Sequence, residues 1–208
     1  NTYGPISYLR EVYDGAINVP NVVGLAIGTR PDCLSTEVLA LLSSYARTRY
    51  VSLEIGLQSL REEALDFYER GHTVQEGIDA IVRAKKFSNL NLSVHLMFGA
   101  PGDTVSTGIE AAKEMNRLGI NGVKIHQLMV LKDTTLATRH AVTPWNLLSL
   151  DEYNQMATAF LEHLDPKIHV ERTHALTSHP NELVGPSWSS DRFTGFNALK
   201  KMMLSQNT

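Results

Sequence analysis

The chain has 208 residues, a length that suits one compact domain with a substantial core, and its apolar and charged fractions of 43% and 20% argue against a disordered or membrane-embedded protein. A net charge of −3 shows no basic excess that would advertise nucleic acid, and the single cysteine, Cys33, rules out a disulfide framework or a cysteine cluster for zinc or iron within the chain. Apolar runs stay far below the ~20 residues of a membrane-spanning helix and no secretory leader opens the sequence, so a cytoplasmic location is expected; the start at Asn1 without Met reads as a segment of a longer protein.

Short β-branched runs alternate along the chain with stretches of helical period. Tyr8, Leu9, Val12, Tyr13 and Ile17 share a stripe that predicts a helix over Ile6–Ile17, with Pro5 in its first turn. Val22–Ile27 reads as a strand, Gly28-Thr29-Arg30-Pro31-Asp32 as the turn that ends it, and Ser35 as the cap of a helix reaching about Ala46. The next unit repeats this order: strand Val51–Ile55, turn Gly56-Leu57-Gln58-Ser59, helix Arg61–Tyr68, a polar joint Glu69-Arg70-Gly71-His72-Thr73, and helix Val74–Phe87. A third strand, Leu92–Phe98, stops at Gly99-Ala100-Pro101-Gly102-Asp103, whose glycines and proline cannot continue regular structure. Helix Val105–Leu118, strand Gly122–Val130, helix Leu150–Leu164 and a short strand near Ile168–Val170 follow. Beyond Thr173 an irregular stretch leads to a last helix from about Arg192 to Leu204.

This alternation describes parallel strands joined by crossover helices. Four or five strands do not close an eight-stranded barrel, so the expected fold is α/β: a partial TIM-like barrel truncated at its N-terminal side over residues 1–173, with residues 174–208 packed on the same domain. Missing strands would leave an apolar sheet edge, and self-association through that edge is expected.

Functional groups in α/β barrels gather where the strands end at their carboxyl edge. Four such ends carry polar or glycine-rich residues: Thr29 and Arg30, Glu54 through Ser59, His95 through Gly102, and Lys124 through Gln127. Glu54 interrupts what should be a continuously apolar central strand. It is either a site carboxylate or an outward group paired with a helix cation. His95 is read either as a site residue or as a hydrogen-bonded core histidine. Lys124 and His126 alternate in register and point to one side. Gly56 and Gln58 form a Gly-x-Gln element open to a ligand, and Arg70, just past a helix end, suits either the helix dipole or a carboxylate ligand. His169, His174 and His179 have no usual metal-ligand spacing and read as solvated loop residues, and Cys33 reads as packing. No metal site is expected. Walker A, nucleophile-elbow and zincin motifs are absent.

The ordered strings VVGLAIGTRPDCL, LEIGLQS, ERGHT, VHLMFGAPGDT and GVKIHQLMVLKDT, with a late Pro186-Ser187-Trp188-Ser189, resemble the radical S-adenosylmethionine (SAM) superfamily, in its YhcC-like branch of uncharacterised proteins. The resemblance implies a (β/α)6 partial barrel in which a [4Fe–4S] cluster binds SAM and cleaves it to a 5′-deoxyadenosyl radical. It also implies an electron donor such as flavodoxin or ferredoxin and an unknown substrate. The family's C-x-x-x-C-x-x-C segment is missing here, so the cluster's cysteines are expected outside this chain and the chain alone is expected to be inactive. By the same resemblance Gln58 and Arg70 contact SAM, Arg70 at the methionine carboxylate. His95, an acidic residue in relatives, lies near the ribose. Tyr3, Thr29 and Glu54 belong to the cofactor site, Gly99 and Pro101 flank the adenine, and Ile125 and His126 pack on adenine or line the substrate cavity. Two other readings remain open: a non-catalytic SAM-like barrel used for binding, and a metal- or phosphate-binding barrel enzyme built on Glu54, His95, Lys124 and His126.

Overall fold

Helix α1 of the computed structural model, which describes residues 1–191 and 193–205, occupies Ile6–Ile17 as the spacing predicts and buries Leu9, Tyr13 and Ile17 on one stripe. The chain then turns through Val19-Pro20-Asn21-Val22, where the Val22 N–H donates to the Val19 carbonyl at 3.2 Å and Asn21 takes φ 68°. Proline second and a residue of positive φ third make a type II turn. Strand β1 therefore begins at Gly24 rather than Val22, and it runs to Thr29. A 3₁₀ turn over Pro31–Cys33 leads to α2 (Thr36–Tyr45), whose Ser35 cap accepts the Val38 N–H at 3.2 Å.

Strand β2 (Tyr50–Gln58), helices α3 (Glu62–Phe67) and α4 (Val74–Lys85) and strand β3 (Asn91–Phe98) follow. Next come α5 (Val105–Leu118), β4 (Gly122–Gln127), β5 (Val130–Leu131), α6 (Thr135–Val142) and α7 (Leu150–His163). Strands β6 (His169–Arg172) and β7 (Leu183–Gly185) and helix α8 (Thr194–Ser205) complete the elements of the described residues. The expected start of the last helix at Arg192 lies outside the described residues. Five strands form one sheet in the order β1-β2-β3-β4-β6, with β1–β2 and β2–β3 parallel, and β5 pairs antiparallel with β7. This is the α/β parallel-sheet architecture that the alternation of elements requires.

Further differences from the sequence reading lie in β2, in the run from Gly122 to Val130 and in α6. Strand β2 continues through Gly56-Leu57-Gln58, because a central strand keeps its backbone hydrogen-bonded to its neighbours until the sheet ends. The run expected as one strand from Gly122 to Val130 splits at Gln127, and Val130 joins β7 in the second ladder. Helix α6 was not foreseen; it lies in a stretch of weak apolar period, and its visible signal is Thr134, which caps it by accepting the Ala137 N–H at 3.1 Å.

The chain divides into two compact units. In the first (Asn1–Leu96, Leu118–Val123 and Lys167–His169), the buried stripes of α1, α2 and α4 cover β1 and β2. Strand β2 is buried from Val51 to Leu57 with Glu54 as its half-buried exception, the pattern of a strand covered on both faces. In the second (Met97–Arg117, Lys124–Pro166 and the chain from Val170 on), Phe98 meets Phe160 edge-on at 5.9 Å between ring centroids. Helix α5 lies so close to α7 at Gly108 that a Cβ there would stand 2.7 Å from the Met156 carbonyl oxygen, and α8 packs on α7.

Candidate cofactor site

The site begins with a β-bulge. Pairing between β2 and β3 passes from Ile55 opposite Val94 to Gln58 opposite Leu96, so Gly56 and Leu57 together face the single residue His95. Gln58 ends the strand at φ 69°, a left-handed conformation uncommon for a residue with a side chain. Its Nε2 lies 2.8 Å from the point where a Cβ of Gly56 would stand. Arg70 Nη2 lies 3.1 Å from that point and donates to the Gly56 carbonyl at 3.3 Å, while the Thr29 carbonyl oxygen is 3.4 Å away. Thr29, Gln58 and Arg70 therefore meet over a backbone that only glycine leaves open.

Local turn chemistry holds Arg70 in place. After α3 the Glu69 N–H donates to the Asp66 carbonyl and the Arg70 N–H to the Leu65 carbonyl, with Glu69 at φ 54°, which is a Schellman cap. Gly71 follows at φ 67°, and Thr73 opens α4 through a reciprocal capping box with Glu76. The string Glu69-Arg70-Gly71-His72-Thr73 is thus one compound turn that holds Arg70. The Arg70 guanidinium is half-buried and its Nε–H has no hydrogen-bond partner among the described residues. Burial, with the Arg30 charge as a second cause, pushes its pKa below the ordinary arginine range. A desolvated cation with an unspent donor is a receptor for an anion.

Glu54 and His95 form a pair on the same two strands. His95 Nε2 donates to Glu54 Oε2 at 3.0 Å, and both side chains remain about one-fifth exposed. Gly28 sits beside Glu54 on β1, and open space surrounds the position of its absent side chain. At the end of β1 a second hollow of about 260 Å³ is lined by Thr2, Tyr3, Thr29, Arg30 and Cys33. The hydroxyls of Thr2 and Thr29 lie 2.6 Å apart, Thr2 donates to the Cys33 carbonyl at 2.7 Å, and Tyr3 is 81% exposed. Burial raises the Cys33 thiol pKa, which suits packing rather than reactivity.

The remaining sequence-predicted residues belong to the second unit. Gly99 adopts φ 119°, and the Asp103 carboxylate accepts the N–H groups of Gly99 and Ala100 at 2.8 and 2.9 Å, which closes the turn that carries Pro101. Ile125 is fully buried, the His126 Nδ1 lies 3.1 Å from the Gln127 carbonyl, and Lys124 pairs with Glu171 at 3.4 Å. Glu54 and His95 therefore come together while Lys124 engages Glu171. Among the described residues no three His, Cys, Asp or Glu side chains group to hold a metal.

Sequence reasoning missed one buried and one partly buried polar residue here. The Gln127 amide donates to the Ala175 carbonyl at 2.7 Å and to Ser189 Oγ at 2.9 Å, and accepts the Ala175 N–H at 3.1 Å, tying down the irregular segment. His174, expected in solvent, lies between Asn154 Oδ1 at 3.1 Å and Thr173 Oγ1 at 3.0 Å, 4.9 Å from the Tyr153 ring. Burial lowers its pKa to about 4. The flanking Pro186-Ser187-Trp188-Ser189 string was the available signal, since a tryptophan in an irregular segment needs a surface to cover.

Residues 120–205 match the family described as the Radical_SAM C-terminal domain. The uncharacterised protein MJ0486 of Methanocaldococcus jannaschii is 32% identical over 209 residues, covering 100% of this chain and 65% of its own length. Protein YhcC of Escherichia coli K12 is 30% identical over 206 residues, covering 98% of this chain and 65% of its own length, so the chain spans about 65% of these relatives. The archaeal Elp3 of Methanocaldococcus infernus shares the fold over 89% of this chain and 42% of its own, with a TM-score of 0.75 at 24% identity. With residues 120–205 matching that C-terminal domain and nearly the whole chain aligning with MJ0486 and YhcC, the chain is similar to the radical SAM superfamily, in the branch that contains YhcC.

Proposed function

We propose that this chain is the SAM-binding part of a radical SAM enzyme whose cluster cysteines lie in the longer parent, outside these residues. The observation that carries the reading is the half-buried Arg70 guanidinium with its unspent Nε–H, held beside the Cβ-free face of Gly56 and the Gln58 amide. A carboxylate is the partner this arrangement lacks, and the methionine end of SAM carries one. The Gln58 amide oxygen can accept from the neighbouring amino group of the same methionine end. The Glu54 carboxylate, with His95 hydrogen-bonded to it, suits ribose hydroxyls as an acceptor, and Thr29 and Tyr3 line the adjoining strand end. Gly99, Pro101, Ile125 and His126 are assigned to the adenine side on the family resemblance alone. With its cluster, SAM supplies a 5′-deoxyadenosyl radical for hydrogen abstraction from a substrate; flavodoxin or ferredoxin is the class of electron donor such a reaction needs. The task of this chain's residues is to bind SAM, orient it and exclude water.

Anaerobic reconstitution of the full-length parent tests the reading. It should incorporate iron and sulfide and release 5′-deoxyadenosine, and Arg70→Met should abolish the product while leaving the cluster absorbance unchanged. A parent without three suitably spaced cysteines, or full product formation by the Arg70 variant, would overturn it. Affinity for S-adenosylhomocysteine without 5′-deoxyadenosine would leave a binding module instead.

A further inference from the structure

A cavity of about 530 Å³ opens in the second unit between β6, the Thr173–Leu176 segment, Trp188 and the first turn of α8. That volume falls within the roughly 300–1,000 Å³ range of small-molecule pockets. Its back wall is aromatic. His174 meets Trp188 at 6.1 Å and Tyr153 meets Trp188 at 5.5 Å between centroids, and the Trp188 indole N–H donates to the Leu148 carbonyl at 3.0 Å. Helix α8 closes on this wall through Gly195, where a Cβ would stand 2.4 Å from His174 Cδ2.

The rim combines apolar exposure with one uncommitted charge. Val170, Leu176 and Phe196 are 41%, 47% and 52% exposed, an unusual concentration of large apolar side chains around one opening. Of the three charged residues lining it, Glu171 pairs with Lys124 at 3.4 Å and Asp191 accepts the Thr194 N–H at 2.9 Å. Arg172 has no ion pair or side-chain hydrogen bond among the described residues. Aromatic faces beside a free guanidinium recognise a flat ring and an anion together: the ring stacks, and the planar fork takes a phosphate.

We propose that this cavity binds a heteroaromatic anion of nucleoside-monophosphate type, the ring lying against Trp188 and Phe196 and the phosphate at Arg172. The site shares no residue with the Arg70 group, so it stands or falls apart from the SAM reading. Titrating the 208-residue chain with AMP, adenosine and inorganic phosphate, followed by the Trp188 indole resonance in ¹⁵N spectra, tests it; Trp188→Phe assigns that resonance. AMP should shift it saturably, with affinity about tenfold above adenosine or phosphate, and Arg172→Gln should erase the advantage over adenosine without altering the remaining spectrum. Phe196→Ala should weaken AMP and adenosine alike. Equal binding of phosphate and AMP, an Arg172 variant of unchanged affinity, or no saturable shift with any of the three would overturn the proposal.

Discussion

Arg70 and Gly56 act as one unit, and substitutions at the two should have different signatures. Arg70→Lys keeps the charge but loses the planar fork, so S-adenosylhomocysteine affinity should fall about tenfold in calorimetry, with thermal stability little changed. Gly56→Ala places a methyl 2.8 Å from Gln58 Nε2 and 3.1 Å from Arg70 Nη2. Both contacts are ends of flexible side chains, so the protein should fold while its affinity drops as the two groups swing aside. His174 adds a pH dependence. Burial holds its pKa near 4, below the ordinary 6.5, so between those values the unfolded chain binds a proton that the folded chain excludes. Stability should be fully present above about pH 6.5 and fall as pH drops toward 4. Urea midpoints measured across that window check this, and His174→Gln should flatten the slope. Glu76 and Glu152 are held below their usual value of 4.5 by hydrogen bonds to Thr73 and Ser149, so their losses begin only at more acid pH.

The elements were legible wherever a neighbour three or four residues away decides them. Ser35, Thr73 and Ser149 cap α2, α4 and α7, and the stripe of α1 ends where its period ends. Legibility failed where a turn was overlooked or a partner is remote. Val19-Pro20-Asn21-Val22 was a readable type II turn, whereas the split of β4 from β5 depends on β7, more than fifty residues later. Helix–strand packing adds a test at this scale. Gly77 of α4 lies against β2, and a Cβ there would stand 2.3 Å from Leu57 Cδ1, in a fully buried side chain. Helix propensity favours Ala by about 1 kcal/mol, but overpacking a filled core costs roughly 1–3 kcal/mol. Gly77→Ala should therefore lower stability by about 1 kcal/mol, read as a shifted urea midpoint.

For the molecule as a whole, β1 is an edge of the five-stranded sheet, and Val23 and Tyr50 near its start are 80% and 60% exposed. Tyr8 and Val12 add a second apolar stripe on α1, also exposed. We propose that a second copy of the chain pairs at this edge, since an unpaired strand flanked by apolar surface is a template for another. Sedimentation equilibrium should show mass rising with concentration; a monodisperse monomer would count against it. From the sequence alone came the alternation of elements, most helix boundaries and the family, because periodicity, caps and motif order are properties of neighbouring residues. The site itself was decided only in three dimensions. Arg70 reaches Gly56 across 14 positions and His95 reaches Glu54 across 41, and both meetings depend on sheet register and on one bulge. Register is set by how whole faces bury against one another, so no local string records which polar side chain ends beside which.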